Sequence, residues 1–115
     1  MKILLIVNNS PWGSTLGLTA LRFSRAMISE GMLLSAVFFR EDGVYHALQG
    51  RVTDAGTPPT SEAWQEVGRS SGARLLLCSS SSQRRLEIAP GGEFREAGLA
   101  EMMELMAASD RVVTF

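Results

Sequence analysis

The chain has 115 residues, 45% of them hydrophobic and 20% charged, with eleven basic side chains against twelve acidic ones and a formal charge of -1. That length and balance suit one packed domain spanning residues 1 to 115 and exclude both a second core and wholesale disorder. The near-zero charge lacks the dense positive field that a phosphate backbone requires, so no direct nucleic-acid partner is expected.

Met1 to Val7 is apolar but too short for a signal segment or a bilayer span, so it predicts a buried first strand over Ile3 to Val7. A cytoplasmic chain with no membrane partner is the matching expectation. The turn formers Asn8-Asn9-Ser10-Pro11 end that strand. After Gly13, Leu16, Ala20, Phe23 and Met27 recur at helical spacing, flanked by Leu21 and Ile28. Ser14 or Thr15 can cap this helix at its start and Gly31 at its end.

Leu33 to Phe39 is the second apolar run, closed by Arg40-Glu41-Asp42-Gly43, and Val44 to Gln49 suits a short helix. Residues 50 to 60, with Gly50, Gly56, Pro58 and Pro59, lack periodicity and predict a mobile surface loop. A helix follows from Thr60 or Ser61 through about Ser71, with Ala63, Trp64 and Val67 inward and Gly72 closing it. Ala73 to Cys78 is the third strand, and the serines with Gln83-Arg84-Arg85 begin a short helix. Phe94 to Gly98 is a weak fourth strand. Leu99, Met102, Met103 and Met106 form one stripe of a last helix, read as core or subunit interface, and Arg111 to Phe115 is a fifth strand.

Strands alternating with helices, the first three strands apolar throughout, imply an α/β fold: a mostly parallel five-stranded sheet with helices on both faces. In such sheets ligands gather at the carboxyl ends of the strands, near the switch in strand order. Three loops meet that description: Asn8 to Ser14, Arg40 to Tyr45, and Cys78 to Gln83.

Cys78 is the only cysteine, so no internal disulfide or four-thiolate metal site can form, and the lone His46 has no second nitrogen ligand near it in sequence. No metal and no cofactor are expected. A thiol reacts as its thiolate, and a place at the amino end of a helix lowers its pKa. Arg84 and Arg85 lower it further if either folds back. An unpaired cysteine is, however, more often a small buried hydrophobe, and the residues alone leave both readings open. Asn8 to Ser14 has the makings of a phosphate or flavin cradle, but it is neither a Walker A loop nor a GxGxxG fingerprint. His46 and Tyr45 can reach the rim that holds Cys78. With no Asn or Asp placed to orient the imidazole, a cysteine–histidine hydrolase is a poor reading, and His46 is expected to be a satisfied surface or boundary residue.

Four segments in order, "MKILLIVNNSPWGS", "SAVFFREDGVYHAL", "LLLCSSSSQRR" and "SDRVVTF", resemble the DsrE/TusD family of sulfur-relay proteins over nearly the whole chain. The resemblance implies a DsrE-like fold, of the flavodoxin-like kind, and a sulfurtransferase whose cysteine, here Cys78, receives sulfane sulfur as a persulfide and passes it to a partner protein. Ser79 and Ser80 then offer N–H groups around the sulfur, and Arg84 stands with them as a substrate-binding candidate. The implied setting is wobble-uridine 2-thiolation of tRNA or dissimilatory sulfur oxidation. The implied partners are donor and acceptor proteins together with paralogous subunits in a heterohexamer, or copies of this chain in a homo-oligomer. The stretch "LEIAPGGEFREAG" is shorter than its counterpart in the tRNA-thiolation subunit, which bears on subunit contacts near the cysteine. The alternative is a binding or scaffold subunit with an inert cysteine.

Overall fold

The computed structural model describes residues 1–49, 60–87 and 89–115. Five strands form one sheet: β1 (Lys2–Val7), β2 (Leu33–Phe39), β3 (Arg74–Cys78), β4 (Phe94–Ala97) and β5 (Arg111–Thr114). All four pairings are parallel, and the order is β4-β3-β2-β1-β5. Strands β1 to β3 are continuous apolar runs because both of their faces are covered, as parallel strands require. The chain winds outward from β1 to β4 and then crosses back to lay β5 on the far side of β1. That reversal sends the helices to opposite faces, since right-handed crossovers in opposite directions lie on opposite sides.

On one face, α1 (Leu16–Ser29), α2 (Thr60–Ser71) and a 3-10 segment (Glu41–Ala47) cover Ile3, Leu5, Val7, Val37, Phe39, Leu75 and Leu77. On the other, α4 (Leu99–Ala108) covers Leu4, Ile6, Ala36, Phe38, Leu76 and Cys78. The short α3 (Ser79–Arg85) leaves β3 directly. Among the described residues no helix is long and apolar enough to cross a membrane.

The strands match their expected positions to within a residue, and β2 matches fully. Three details differ. The 3-10 segment begins at Glu41, three residues before the expected short helix, because the Gly43 N–H closes a tight turn on the Arg40 carbonyl at 2.8 Å. Gly43 packs so closely on β1 that a Cβ there would overlap the Val7 carbonyl oxygen. In α1 the inward face is Gly17, Ala20, Leu21, Ser24 and Met27, while Leu16 is exposed. The face turns this way because the His46 ring packs on Gly17, where a Cβ would come within 2.6 Å of Cε1. In α4 the expected single stripe splits: Met102 and Leu105 are buried, whereas Leu99, Met103 and Met106 are exposed. One helix lying on one sheet face buries only the side that touches it. The irregular stretch expected over residues 50 to 60 lies outside the described residues, apart from Thr60, which begins α2.

The split on α4 has a measurable consequence. Leu105→Ala should lower unfolding free energy by about 2–5 kcal/mol, and Met103→Ala by less than about 0.5 kcal/mol, both read from denaturant midpoints. Equal losses would mean that α4 is not seated as described.

Candidate functional site

The carboxyl end of β3 carries Cys78, which is also the residue that caps the start of α3. A capping side chain faces the second and third residues of its helix, here Ser80 and Ser81. The Ser80 hydroxyl lies 3.4 Å from Sγ. Ser81 is buried, and its Oγ accepts the N–H of Glu41 at 3.0 Å. That acceptance orients the hydroxyl, whose own hydrogen remains available to the sulfur. Burial of Cys78 pushes its thiol pKa up, but the hydroxyls of Ser80 and Ser81, with the N–H groups of Ser81 and Ser80, stabilise the thiolate more strongly and hold it below the ordinary thiol value. The residue keeps 8% of its surface in solvent.

Ser80 lies beside the sulfur. The donors facing the sulfur come from Ser80 and Ser81, while Ser79, half-buried at the first helical position, is not among them. Ser81 was detectable from sequence only if the helix start was known to the residue, since a cap reaches its second and third neighbours rather than its first. Arg84 is exposed and, among the described residues, makes no ion pair. Arg85 turns away from Cys78 to Asp42 Oδ1 at 2.9 Å and Glu41 Oε2 at 3.1 Å. Together with the Ser81–Glu41 contact this fastens α3 to the 3-10 segment. Glu41 takes the left-handed φ of 50° there, a strained choice for a residue with a side chain.

His46 sits across the sheet from this sulfur. It is wholly buried against Phe39 and Trp64 in the other core cluster, a correction to the surface or boundary place expected of it. Trp64 Nε1 donates to His46 Nδ1 at 3.2 Å, and His46 Nε2 donates to the Asn9 carbonyl at 2.9 Å. Both ring nitrogens are thus engaged in a neutral imidazole, and the sheet lies between it and Cys78. No cysteine–histidine pair exists. The Asn8 to Ser14 loop is drawn onto the 3-10 segment by the His46–Asn9 bond and by Trp12 packed at a tilt on Tyr45, with ring centroids 5.4 Å apart. A groove of about 600 Å³ opens at the amino ends of β3 and β4, lined by Gly72, Arg74, Gly92 and Arg95, at the opposite end of these strands from Cys78. The reversal of strand order falls between β1 and β5, two strands from the cysteine. Among the described residues no three His, Cys, Asp or Glu side chains gather as a metal would need.

A family model described as "DsrE/DsrF-like family" matches residues 1–115. The chain is 31% identical to a "Sulfurtransferase TusD homolog" of Vibrio vulnificus (strain CMCP6), covering 100% of this chain and 98% of that protein. It is 29% identical to "Sulfurtransferase TusD" of Cronobacter sakazakii (strain ATCC BAA-894), covering 100% of both. The crystal structure of the ychN protein from E. coli superposes with a TM-score of 0.87 at 22% identity, covering 100% of this chain and 99% of that one, a likeness of fold.

The thiolate-stabilising contacts set a pH signature. Alkylation of Cys78 by iodoacetamide should rise with pH to a midpoint below that of a free thiol, and Ser80→Ala should move that midpoint up. A midpoint unchanged by the substitution would remove Ser80 from the site. Because folding lowers this pKa, the thiolate adds stability above the unfolded thiol's pKa and loses that contribution as pH falls through the folded-state value. Ser81→Ala, which also strands the Glu41 N–H, should reduce stability by about 1–3 kcal/mol.

Proposed function

The chain belongs to the DsrE/DsrF-like family, and from that premise we propose that it is a sulfur-relay protein whose Cys78 carries sulfane sulfur as a persulfide. The observation that carries this reading is a single thiol at the rim of the sheet, faced by the Ser80 hydroxyl, whose pKa is lowered in spite of burial. Relatives of near-full coverage that bear the name sulfurtransferase support it.

The step balances without an oxidant. The Cys78 thiolate attacks the terminal sulfur of a donor persulfide, the S–S bond of the donor breaks, and its electron pair leaves with the donor thiolate. One S–S bond is lost and one is made, so there is no net redox change. Passing the sulfur on repeats the exchange with Cys78 as the leaving thiolate. A lone cysteine suits a carrier, since a second thiol nearby would attack the inner sulfur, release sulfide and close a disulfide. Ser80 and Ser81 stabilise Cys78 both as attacking and as departing thiolate, and Ser79 and Arg84 remain substrate-binding candidates in this reading. Donor and acceptor are proteins in this reading, with the transfer serving tRNA thiolation or sulfur oxidation in a hetero- or homo-oligomer.

A second reading, a scaffold subunit with an inert cysteine, draws on the small exposure of Cys78, 8%. The two separate cleanly. Incubation with a persulfide donor should add the mass of one sulfur atom to the wild type and none to Cys78→Ser, measured on intact protein. Equal loading of both, or of neither, would reject the carrier.

A further inference from the structure

Among the described residues three buried side-chain atoms have no hydrogen-bond partner, Asn8 Oδ1, Arg40 Nε and Glu96 Oε1, and the first two belong to residues level with Cys78 at the strand ends. Their places follow from the register. Val7 pairs with Phe39 and Phe39 with Leu77, so one step further along the strands Asn8, Arg40 and Cys78 stand side by side across β1, β2 and β3. Neighbouring strands are about 4.8 Å apart. Phe39 packs in the cluster that holds Leu77, and Phe38 in the one that holds Cys78. Arg40 continues β2 with extended backbone, φ −124° and ψ 162°, so its side chain falls on the face of Phe38 and Cys78.

A guanidinium N–H shut away from water without an acceptor is rare in folded chains, because its lost hydration is offset by nothing. Here the other two arginines of the region are accounted for. Arg85 is held by Glu41 and Asp42, and Arg84 is exposed on the last turn of α3. Arg40 is the one whose inner nitrogen is buried and unspent, and the chemistry next to it has a use for a cation. A thiolate attacking a persulfide brings together two anions, the nucleophile and the R–S–S⁻ donor, and their repulsion opposes the approach.

We infer that Arg40 is the anion-binding residue of this site, and that the substrate it selects is a persulfide in its anionic form. The inference rests on the sulfur-carrier reading of Cys78 and adds the group that admits the negatively charged donor. In the transfer the guanidinium faces the sulfurs as the donor S–S bond breaks and the new bond to Cys78 forms; it gives up no proton, and the total charge on the three sulfurs, two negative, is the same before and after, passing from the Cys78 sulfur to the departing donor thiolate. Asn8, on the far side of Arg40, flanks the same row.

The test compares iodoacetate, an anion, with iodoacetamide, its neutral analogue, on Cys78. Both see the same thiolate fraction, so the ratio of their rates reports the local charge and is blind to a change in thiol acidity. That ratio should be about fivefold higher in the wild type than in Arg40→Met, the worth of one charge at about 4 Å in a watery dielectric, and Arg40→Lys should keep most of it. Loading by glutathione persulfide should slow in Arg40→Met in the same proportion. Salt supplies a check on the wild type alone, independent of whether the variant folds. Near 1 M, where screening acts over about 3 Å, the ratio should fall, whereas a site without the cation would show it rise as thiolate–iodoacetate repulsion is screened. An unchanged ratio in Arg40→Met, including equal slowing by both reagents, or a ratio that rises with salt, overturns the inference while leaving persulfide formation on Cys78 standing. Failure of the wild type to take up sulfur at all overturns the carrier reading and this inference with it.

Discussion

The Ser81 hydroxyl is the joint of the site. Its oxygen accepts the Glu41 N–H and thereby ties the first turn of α3 to the loop that leaves β2. The hydroxyl's own hydrogen stays available to donate, and the sulfur of Cys78 is the group it faces. Arg85 closes the same junction from the other end of α3 through Asp42 and Glu41. Exposed ion pairs of this kind add little stability individually. Their value here is geometric, since they hold a seven-residue helix, too short to be stable alone, at a fixed angle to the strand that ends in the thiol.

The sheet separates two uses of similar chemistry. On one face a wholly buried histidine is satisfied at both nitrogens, and it locks the loop after β1, the 3-10 segment and α2 to one another. Gly17 and Gly43 permit that closeness, the first under the imidazole and the second against β1. On the other face, Asn8 Oδ1 and Arg40 Nε are buried without a partner among the described residues, on strand ends level with Cys78. A fully bonded polar group serves the fold, while an unbonded one at a strand end is free to meet a substrate.

Burial and ionisation pull on Cys78 in opposite directions, and the balance decides its chemistry. Desolvation alone would make an inert, neutral thiol, as in most cores. Hydroxyl and amide donors outweigh that desolvation and lower the thiol pKa at a site where the sulfur is still mostly shielded.

By itself the amino-acid sequence determined the strands, the helices and the parallel α/β class, because continuous apolar runs and helical spacing are local patterns that the chain carries with it. It also singled out Cys78, the only cysteine, at the point where a buried run turns polar. What the tertiary structure alone decided is which side of the sheet each polar residue serves. Whether His46 meets Cys78 depends on the parity of positions along β2 and β3 and on where α2 lands, and no local pattern encodes that. The same holds for Ser81 in place of Ser79, which turns on a one-residue difference in helix start, and for Leu16 facing solvent, which follows from a histidine 30 positions away packing on Gly17. The row of Asn8, Arg40 and Cys78 belongs to that second class as well. Three residues far apart in the chain become neighbours only through strand register, and register is a property of the assembled sheet.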